Sequence, residues 1–247
     1  MIKQCLKIKF NKHRSLSSIF LLGLLLNTQA FSASSTGFFG QNAASDGPIT
    51  ICSNSLHFDQ EKNELVYEGN VTVLQIKDLA ISCSNNLTKN SKNMASLWVS
   101  PETNNYNQMQ QEGLAIAKKL CKEKGNCRYM SGQKLTVYLD EEGQAKQVDM
   151  IAYNDKEKLP VAKYYSLETD KKGKTTTSYA YGKLMEFEPE KNLLTIEKNA
   201  YITQKNNSFN GDKITYNTQT GVVDVPKQAY QRATMIISSD ETKKVGK

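Results

Sequence analysis

From Pro48 onward, apolar side chains fall at alternate positions through Ile49, Ile51, Leu56, Phe58, Leu65, Tyr67, Val71 and Val73, with Thr, Ser, Glu and Asn between them. A period of two belongs to a half-buried strand with one apolar and one wetter face. The same picture returns through Phe187, Leu194, Ile196, Ile202, Phe209, Ile214 and Tyr216. The two stretches are copies of one another. Residues 56–75, LHFDQEKNELVYEGNVTVLQ, align without a gap on residues 185–204, MEFEPEKNLLTIEKNAYITQ, at a constant offset of 129. Phe58 matches Phe187, Asp59 matches Glu188, Glu61-Lys62-Asn63 matches Glu190-Lys191-Asn192, Leu65 matches Leu194, Glu68 matches Glu197, Asn70 matches Asn199 and Gln75 matches Gln204. Each copy predicts a strand, a polar turn around Lys-Asn, a second strand, an Asn-centred turn and a third strand, which is a β-meander. A hairpin cannot bury its apolar face alone, so the copies are expected to share one all-β sheet system.

Between the copies the period changes. After Pro101, Met109, Gly113, Ile116, Ala117 and Leu120 recur at helical spacing and Gly125 follows as a stop, so a short amphipathic helix is expected over about 104–124. It would lie on the sheet or close one end of it; its narrow apolar face, without aromatics, suits a membrane surface less well. Alternation resumes in KLTVYL at Lys134, and Asp140-Glu141-Glu142-Gly143 then QVDMIAY read as a hairpin with a glycine turn. Thr169–Ser178 is the most polar stretch and is expected as an exposed loop, and Val222–Val225 and Ala233–Ile237 could supply two last strands. Residues 33–47 read as a flexible lead-in and 239–247 as a disordered tail. No linker composition interrupts 48–238, which is expected to be a single domain.

The first 32 residues belong to targeting. Lys3, Lys7, Lys9, Lys12 and Arg14 precede an apolar run from Leu16 to Leu26, and Ala30-Phe31-Ser32 fits a cleavage site before Ala33. The run is well short of the roughly 20 residues that span a bilayer, which disfavours an uncleaved anchor. The segment carries five basic residues and no acidic one, so its removal lowers the formal charge from +7 to +2. Basic character is therefore mostly a targeting signal, and a nucleic-acid partner, which needs a dense basic face, loses its support.

Four cysteines remain: Cys52, Cys83, Cys121 and Cys127. An even count in an exported chain favours disulfides over free thiols, with three possible connectivities. Cys121 and Cys127 bracket a short loop and are near enough to close locally; Cys52 and Cys83 flank the first meander and could clasp its ends. Zinc fits poorly, because C-x-x-C spacing is absent and His57 is the lone histidine after the signal. No cofactor or phosphate motif occurs, and no G-x-S-x-G or H-E-x-x-H. His57, on an alternating strand, reads as solvent-facing, and Asp140, Glu141 and Glu142 are explained by turn chemistry without acid–base work. A binding protein rather than an enzyme is expected.

The meanders carry a specific resemblance. Pro48–Leu87, with PITI, an x-F-D strand and Tyr67-Glu68-Gly69-Asn70-Val71-Thr72-Val73, resembles the first repeat of LptA-type (OstA-like) periplasmic lipopolysaccharide-transport proteins, as does Tyr179–Tyr216 with AYGKLMEF and Phe209-Asn210-Gly211-Asp212-Lys213-Ile214-Thr215-Tyr216. The hairpin TVYLDEEGQAKQVDMIAY fits the family's central hairpin. The resemblance implies an open, twisted antiparallel β-jellyroll built from the repeated meanders, with the inserted helix as a departure. It implies that the interior holds the acyl chains of lipid A, at Ile49, Ile51, Phe58, Leu65, Tyr67, Val71, Val73, Tyr164, Phe187, Ile196, Ile202 and Phe209. It further implies that edge strands pair head to tail with like-folded copies, with an LptC-like inner-membrane protein at the N-terminal edge and with an LptD-like outer-membrane protein at the C-terminal edge. A charged residue in place of Phe187 or Ile51 is then expected to weaken lipid binding and spare the fold. The competing expectation is an exported structural or adhesive β-protein with a closed core and no lipid ligand. The second copy departs from the family in having Lys198 where glycine precedes the asparagine.

Overall fold

The computed structural model describes residues 47–77, 79–83, 94–96, 106–152, 161–169, 173–227 and 232–237. The expected signal peptide, most of the lead-in and the C-terminal tail lie outside them. Each meander copy starts from the same short pieces. In the first, β1 (Ile49–Cys52), β2 (Ser55–Asp59) and β3 (Glu64–Ile76) are followed by β4 (Ala80–Ser82), β5 (Met94–Ser96), α1 (Tyr106–Lys124), β6 (Cys127–Leu139), β7 (Ala145–Ile151) and β8 (Ala162–Thr169). In the second come β9 (Thr175–Gly182), β10 (Leu184–Glu188), β11 (Leu193–Gln204), β12 (Asn207–Asn217), β13 (Val223–Asp224) and β14 (Thr234–Ile236). The expected loop at Thr169–Ser178 is shorter than its polarity suggests, because Thr175–Ser178 pair with β8 and form the start of β9.

Strand pairing resolves into two eight-stranded layers. The first runs β2-β3-β6-β7-β10-β11-β12-β13 and the second β1-β3-β6-β8-β9-β11-β12-β14, so the four long strands β3, β6, β11 and β12 pass through both. The register makes the internal repeat complete: β1 stands to β3 as β9 to β11, with Ile51 opposite Val73 and Ala180 opposite Ile202. The expected Asn-centred turns are not chain reversals. Each is a bulge at which one continuous strand bends from the first layer into the second, between Glu68 and Val71 and again between Glu197 and Ala200. Gly69 (φ 81°) and Asn70 (φ 48°) make the first bulge, Lys198 and Asn199 (φ 60° each) the second. The peptide N–H of Asn54, and in the second copy of Lys183, donates across the bend to Glu68 and Glu197 respectively, each at 3.0 Å. Opposite the bulges stand Gly132 and Gly211, where a Cβ would lie 2.5 Å from Met150 and 2.7 Å from Val225. The hairpins also repeat, with Asn63 and Asn192 both at φ 53° and Asp59 paired to Lys62 as Glu188 is to Lys191.

One apolar core fills the space between the layers, and it draws on both of them. A second lies on the outer face of the second layer. There α1 sets Leu114, Ala117 and Cys121 against Leu74, Ile76, Tyr129 and Tyr165, with Leu79 and Ile81 beside them. The helix begins two residues after the expected start and ends as expected, with Lys122 and Lys124 in its last turn and Gly125 (φ 71°) donating to Cys121 O at 2.8 Å. Covering by the helix explains why β3 is buried without interruption from Val71 to Ile76 instead of at alternate positions. Disulfides Cys52–Cys83 and Cys121–Cys127, with Cα separations of 5.5 and 5.4 Å, tie this module to β1 and β6. Of the three possible connectivities, the structure therefore holds the local one.

Candidate functional site

Side chains that face each other across the two layers form straight rows along the hydrogen-bonding direction. In the first layer, the row next to the bend is Leu56, Tyr67, Leu135, Met150, Met185, Ile196 and Ile214. The row beyond it, toward the free edge, is Phe58, Leu65, Val137, Val148, Phe187, Leu194, Tyr216 and Val223. Every member of both rows is apolar or aromatic.

The second layer behaves differently. Its row at the bend is small, Val71, Gly132, Ala162, Gly182, Ala200 and Gly211, and the next is Ile51, Val73, Met130, Tyr164, Ala180, Ile202, Phe209 and Met235. The third row, near the free edge, turns polar on six strands: Gln75, Arg128, Ser166, Ser178, Gln204 and Asn207, with Ile49 at its start. Four of these, Gln75, Arg128, Ser166 and Ser178, are almost fully buried.

Burial forces the polar row to find partners. The Arg128 guanidinium donates from Nε and Nη2 to Glu168 Oε1 at 3.1 and 3.0 Å, and Gln75 Nε2 donates to Gly47 O at 3.1 Å. Two contacts cross from one layer to the other. Ser178 Oγ and the Tyr216 hydroxyl are 3.2 Å apart, and Gln204 Nε2 donates to the same hydroxyl at 3.4 Å. Burial pushes the Tyr216 phenol above its ordinary value, with Ser178 pulling it partly back; burial raises Tyr164 as well, against the pull of Arg128. Both phenols are therefore neutral throughout the physiological range.

In front of these contacts a cavity of about 260 Å³ opens between the layers at the free edge. Glu168, Thr176, Ser178 and Gln204 line it from the second layer, Tyr216, Thr218 and Gln219 from the first, and Lys174 and Lys205 stand at its rim. At the two ends of the layers the interior is uncovered. Leu56 and Phe58 on the edge strand β2 are 57% and 51% exposed, and Met235 on β14 is 50% exposed.

The expected interior residues sort into three groups. Val71, Val73, Tyr164, Phe187, Ile196 and Ile202 are 0–1% exposed in the core between the layers. Ile49, Ile51, Leu65, Tyr67 and Phe209 are partly buried and pack against that core. Phe58 shares a row with Leu65 but stands half in water. The expected open interior is thus filled along its middle, because the two layers meet, and is open at its ends. Sequence reasoning missed the methionines Met130, Met150 and Met185, which supply the soft centre of the rows, and it missed the polar row. The signal for the latter was present, since Gln75 and Gln204 occupy equivalent positions of the two copies. His57 sits on the outer, exposed face of β2. Asp140 Oδ1 accepts from the peptide N–H groups of Glu142 and Gln144 at 2.9 and 2.7 Å, which is turn chemistry.

Comparison with known proteins gives three findings. The sequence model of the family described as LptA/(LptD N-terminal domain) LPS transport protein matches residues 50–222. Among solved structures, the chain is similar to LptH, the LptA-homologous periplasmic component of the lipopolysaccharide transport device of Pseudomonas aeruginosa. Identity is 19% over 78% of this chain and 99% of that one, with a TM-score of 0.49. No curated protein sequence matches.

Proposed function

Because the chain belongs to the LptA/LptD N-terminal-domain family of lipopolysaccharide-transport proteins, we propose that it is a periplasmic, non-catalytic carrier that holds the acyl chains of lipid A in its interior while lipopolysaccharide passes from the inner to the outer membrane. The observation that carries this reading is the pair of unbroken apolar rows across the first layer, which end at the exposed Leu56 and Phe58. Each methylene moved from water onto such a surface contributes about 0.8 kcal/mol. Transfer without a covalent step needs nothing more than this affinity and a path.

The chains enter where the layers part. The bend joins the layers covalently, whereas at the free edge the contacts across the gap include Ser178–Tyr216 and Gln204–Tyr216. Parting there turns the filled interior into the open trough of a twisted jellyroll. Among the described residues, the edge strands β1 and β2 at one end and β13 and β14 at the other each pair on one side only and offer their other side for strand addition. The N-terminal edge suits an LptC-like inner-membrane protein, the C-terminal edge an LptD-like outer-membrane protein, and each suits the opposite end of a second copy.

Photo-crosslinking in cells tests the reading, with a reactive amino acid at Phe58 or, on the outer face of the same strand, at His57. A lipopolysaccharide adduct at Phe58 and none at His57 is expected. No adduct at either, with the protein folded and exported, would favour the structural or adhesive closed-core reading, which draws on the complete burial of Phe187, Ile196 and Ile202.

A further inference from the structure

The interior is two-sided along the strand direction. On the second layer, six strands change from apolar to polar at the same row, and two members of that row, Ser178 and Gln204, line the cavity at the free edge. A closed core gains less from such a row than from an apolar one, because its bonds to Glu168, Gly47 and Tyr216 do little more than offset the cost of burying it. A ligand that is itself two-sided would make use of it.

We propose that the polar row and the cavity before it form a headgroup subsite for a phosphorylated sugar, so that a bound amphiphile lies with sugar and phosphate at the free edge and its acyl chains toward the bend. The proposal rests on the reading that the interior holds a lipid, and it fixes which way round that lipid lies. The chemistry of the lining matches the headgroup. The hydroxyls of Thr176, Ser178, Tyr216 and Thr218 donate and accept as sugar hydroxyls require, and the Gln204 amide does both. The ammonium groups of Lys174 and Lys205 at the rim supply positive charge for a phosphate. Glu168 also lines the cavity, and the Arg128 guanidinium behind it neutralises that carboxylate, so the net positive charge at the cavity comes from the two rim lysines. The cavity is slightly smaller than the roughly 300 Å³ at the low end of small-molecule sites, which suits one sugar ring and its phosphate.

The test uses the full chain, three probes and one variant. Binding of bisphosphorylated lipid A and of phosphate-free lipid A is measured for the wild type and for Lys174→Ala/Lys205→Ala, and inorganic phosphate is added as a competitor. Both lysines are exposed, so the variant keeps its fold. The wild type is expected to prefer the phosphorylated form by about tenfold or more, and the variant to bring that ratio near one by losing affinity for the phosphorylated form alone. Equal wild-type affinity for both forms would overturn the subsite and leave the carrier reading standing. So would an equal loss for both forms in the variant, or displacement of phosphorylated lipid A by millimolar inorganic phosphate, which would mark a free-anion site. Binding of neither form by the wild type would overturn the carrier reading itself.

Discussion

Replacing Phe58 with aspartate separates lipid binding from folding, and the structure shows why the same change at Phe187 cannot. Phe187 is 1% exposed and surrounded by Val148, Leu194 and the rest of its row. Truncation to alanine there costs about 3–5 kcal/mol, and a carboxylate would add the cost of an unpaired buried charge. Against a total stability of about 5–15 kcal/mol, Phe187→Asp unfolds the chain. The expectation that this variant spares the fold is therefore corrected by its burial. Phe58 stands in the same row, 51% exposed on an edge strand. Full burial of such a ring is worth about 1.5–3 kcal/mol, so losing half of it costs about 1 kcal/mol. An incoming acyl chain would cover the remaining half, and a charge there must be desolvated. Phe58→Asp is expected to lower lipid A affinity at least tenfold, which corresponds to about 1.4 kcal/mol. Urea unfolding checks that stability falls by no more than about 2 kcal/mol, and displacement of a fluorescent lipid A probe checks binding. A folded Phe58→Asp protein that binds lipid A as well as wild type would refute the uncovered mouth as part of the binding path.

Three further outcomes are expected. Lys198 occupies the left-handed conformation that glycine holds in the first copy, at a cost of about 1 kcal/mol or more. Lys198→Gly should therefore raise the urea midpoint, whereas Gly69→Ala, whose Cβ would lie 2.6 Å from Asn54 Nδ2, should lower it. Asp149 and Glu186 face each other across β7 and β10; burial first, and for Glu186 the Asp149 charge next, raise both carboxyls above their ordinary values. The folded protein then binds protons more tightly than the unfolded chain, so the penalty is absent below the ordinary carboxylate values and complete above the raised ones. Urea midpoints of wild type and Asp149→Asn/Glu186→Gln should diverge in favour of the variant as pH rises from 4 to 7, and a constant difference would contradict this. Finally, the disulfides close loops of very different length, with separations of 31 and 6 residues. Cys52→Ala/Cys83→Ala should cost about 4 kcal/mol and Cys121→Ala/Cys127→Ala about 2 kcal/mol, with denaturation curves deciding the order.

The repeat was the most legible feature, because local chemistry recurs at one offset: Asn63 and Asn192 adopt the same left-handed turn, and Asp59–Lys62 reappears as Glu188–Lys191. What happens at Asn70 was not legible. Gly-Asn can reverse a chain or bulge a strand, and the choice is made by β6, which stays paired with β3 on both sides of the bulge. That partner lies some sixty residues away, beyond the reach of any local pattern. The outward-facing Leu74 and Ile76 were readable only with knowledge that α1 covers them. Among the candidate residues, the alternation put Val73 and, in the second copy, Phe187 and Ile202 on shared apolar faces, and these lie in the core between the layers together with Tyr164, which only the resemblance had singled out. It could not say that the layers meet there, nor that Gln75 and Gln204 belong to a row rather than to strand ends.

The inserted module makes the two layers unequal. The second layer is packed on both faces, by the core within and by α1 and β4 outside, and both disulfides fasten that module to it, through Cys52 on β1 and Cys127 on β6. The first layer is packed on its inner face, while its outer face carries Glu64, Glu68, Lys134, Asp149, Glu186, Glu197 and Lys213. A sheet buried on both faces resists bending more than one with a solvated face, because any curvature must disturb two cores. In the proposed parting of the free edge, the first layer would therefore be the wing that moves and the second the fixed wall. The fixed wall is also the layer that carries most of the polar row. Headgroup contacts would then stay in place while the apolar rows of the first layer close over the chains, which would let the proposed carrier accept acyl chains of different length and number without losing hold of the end they share.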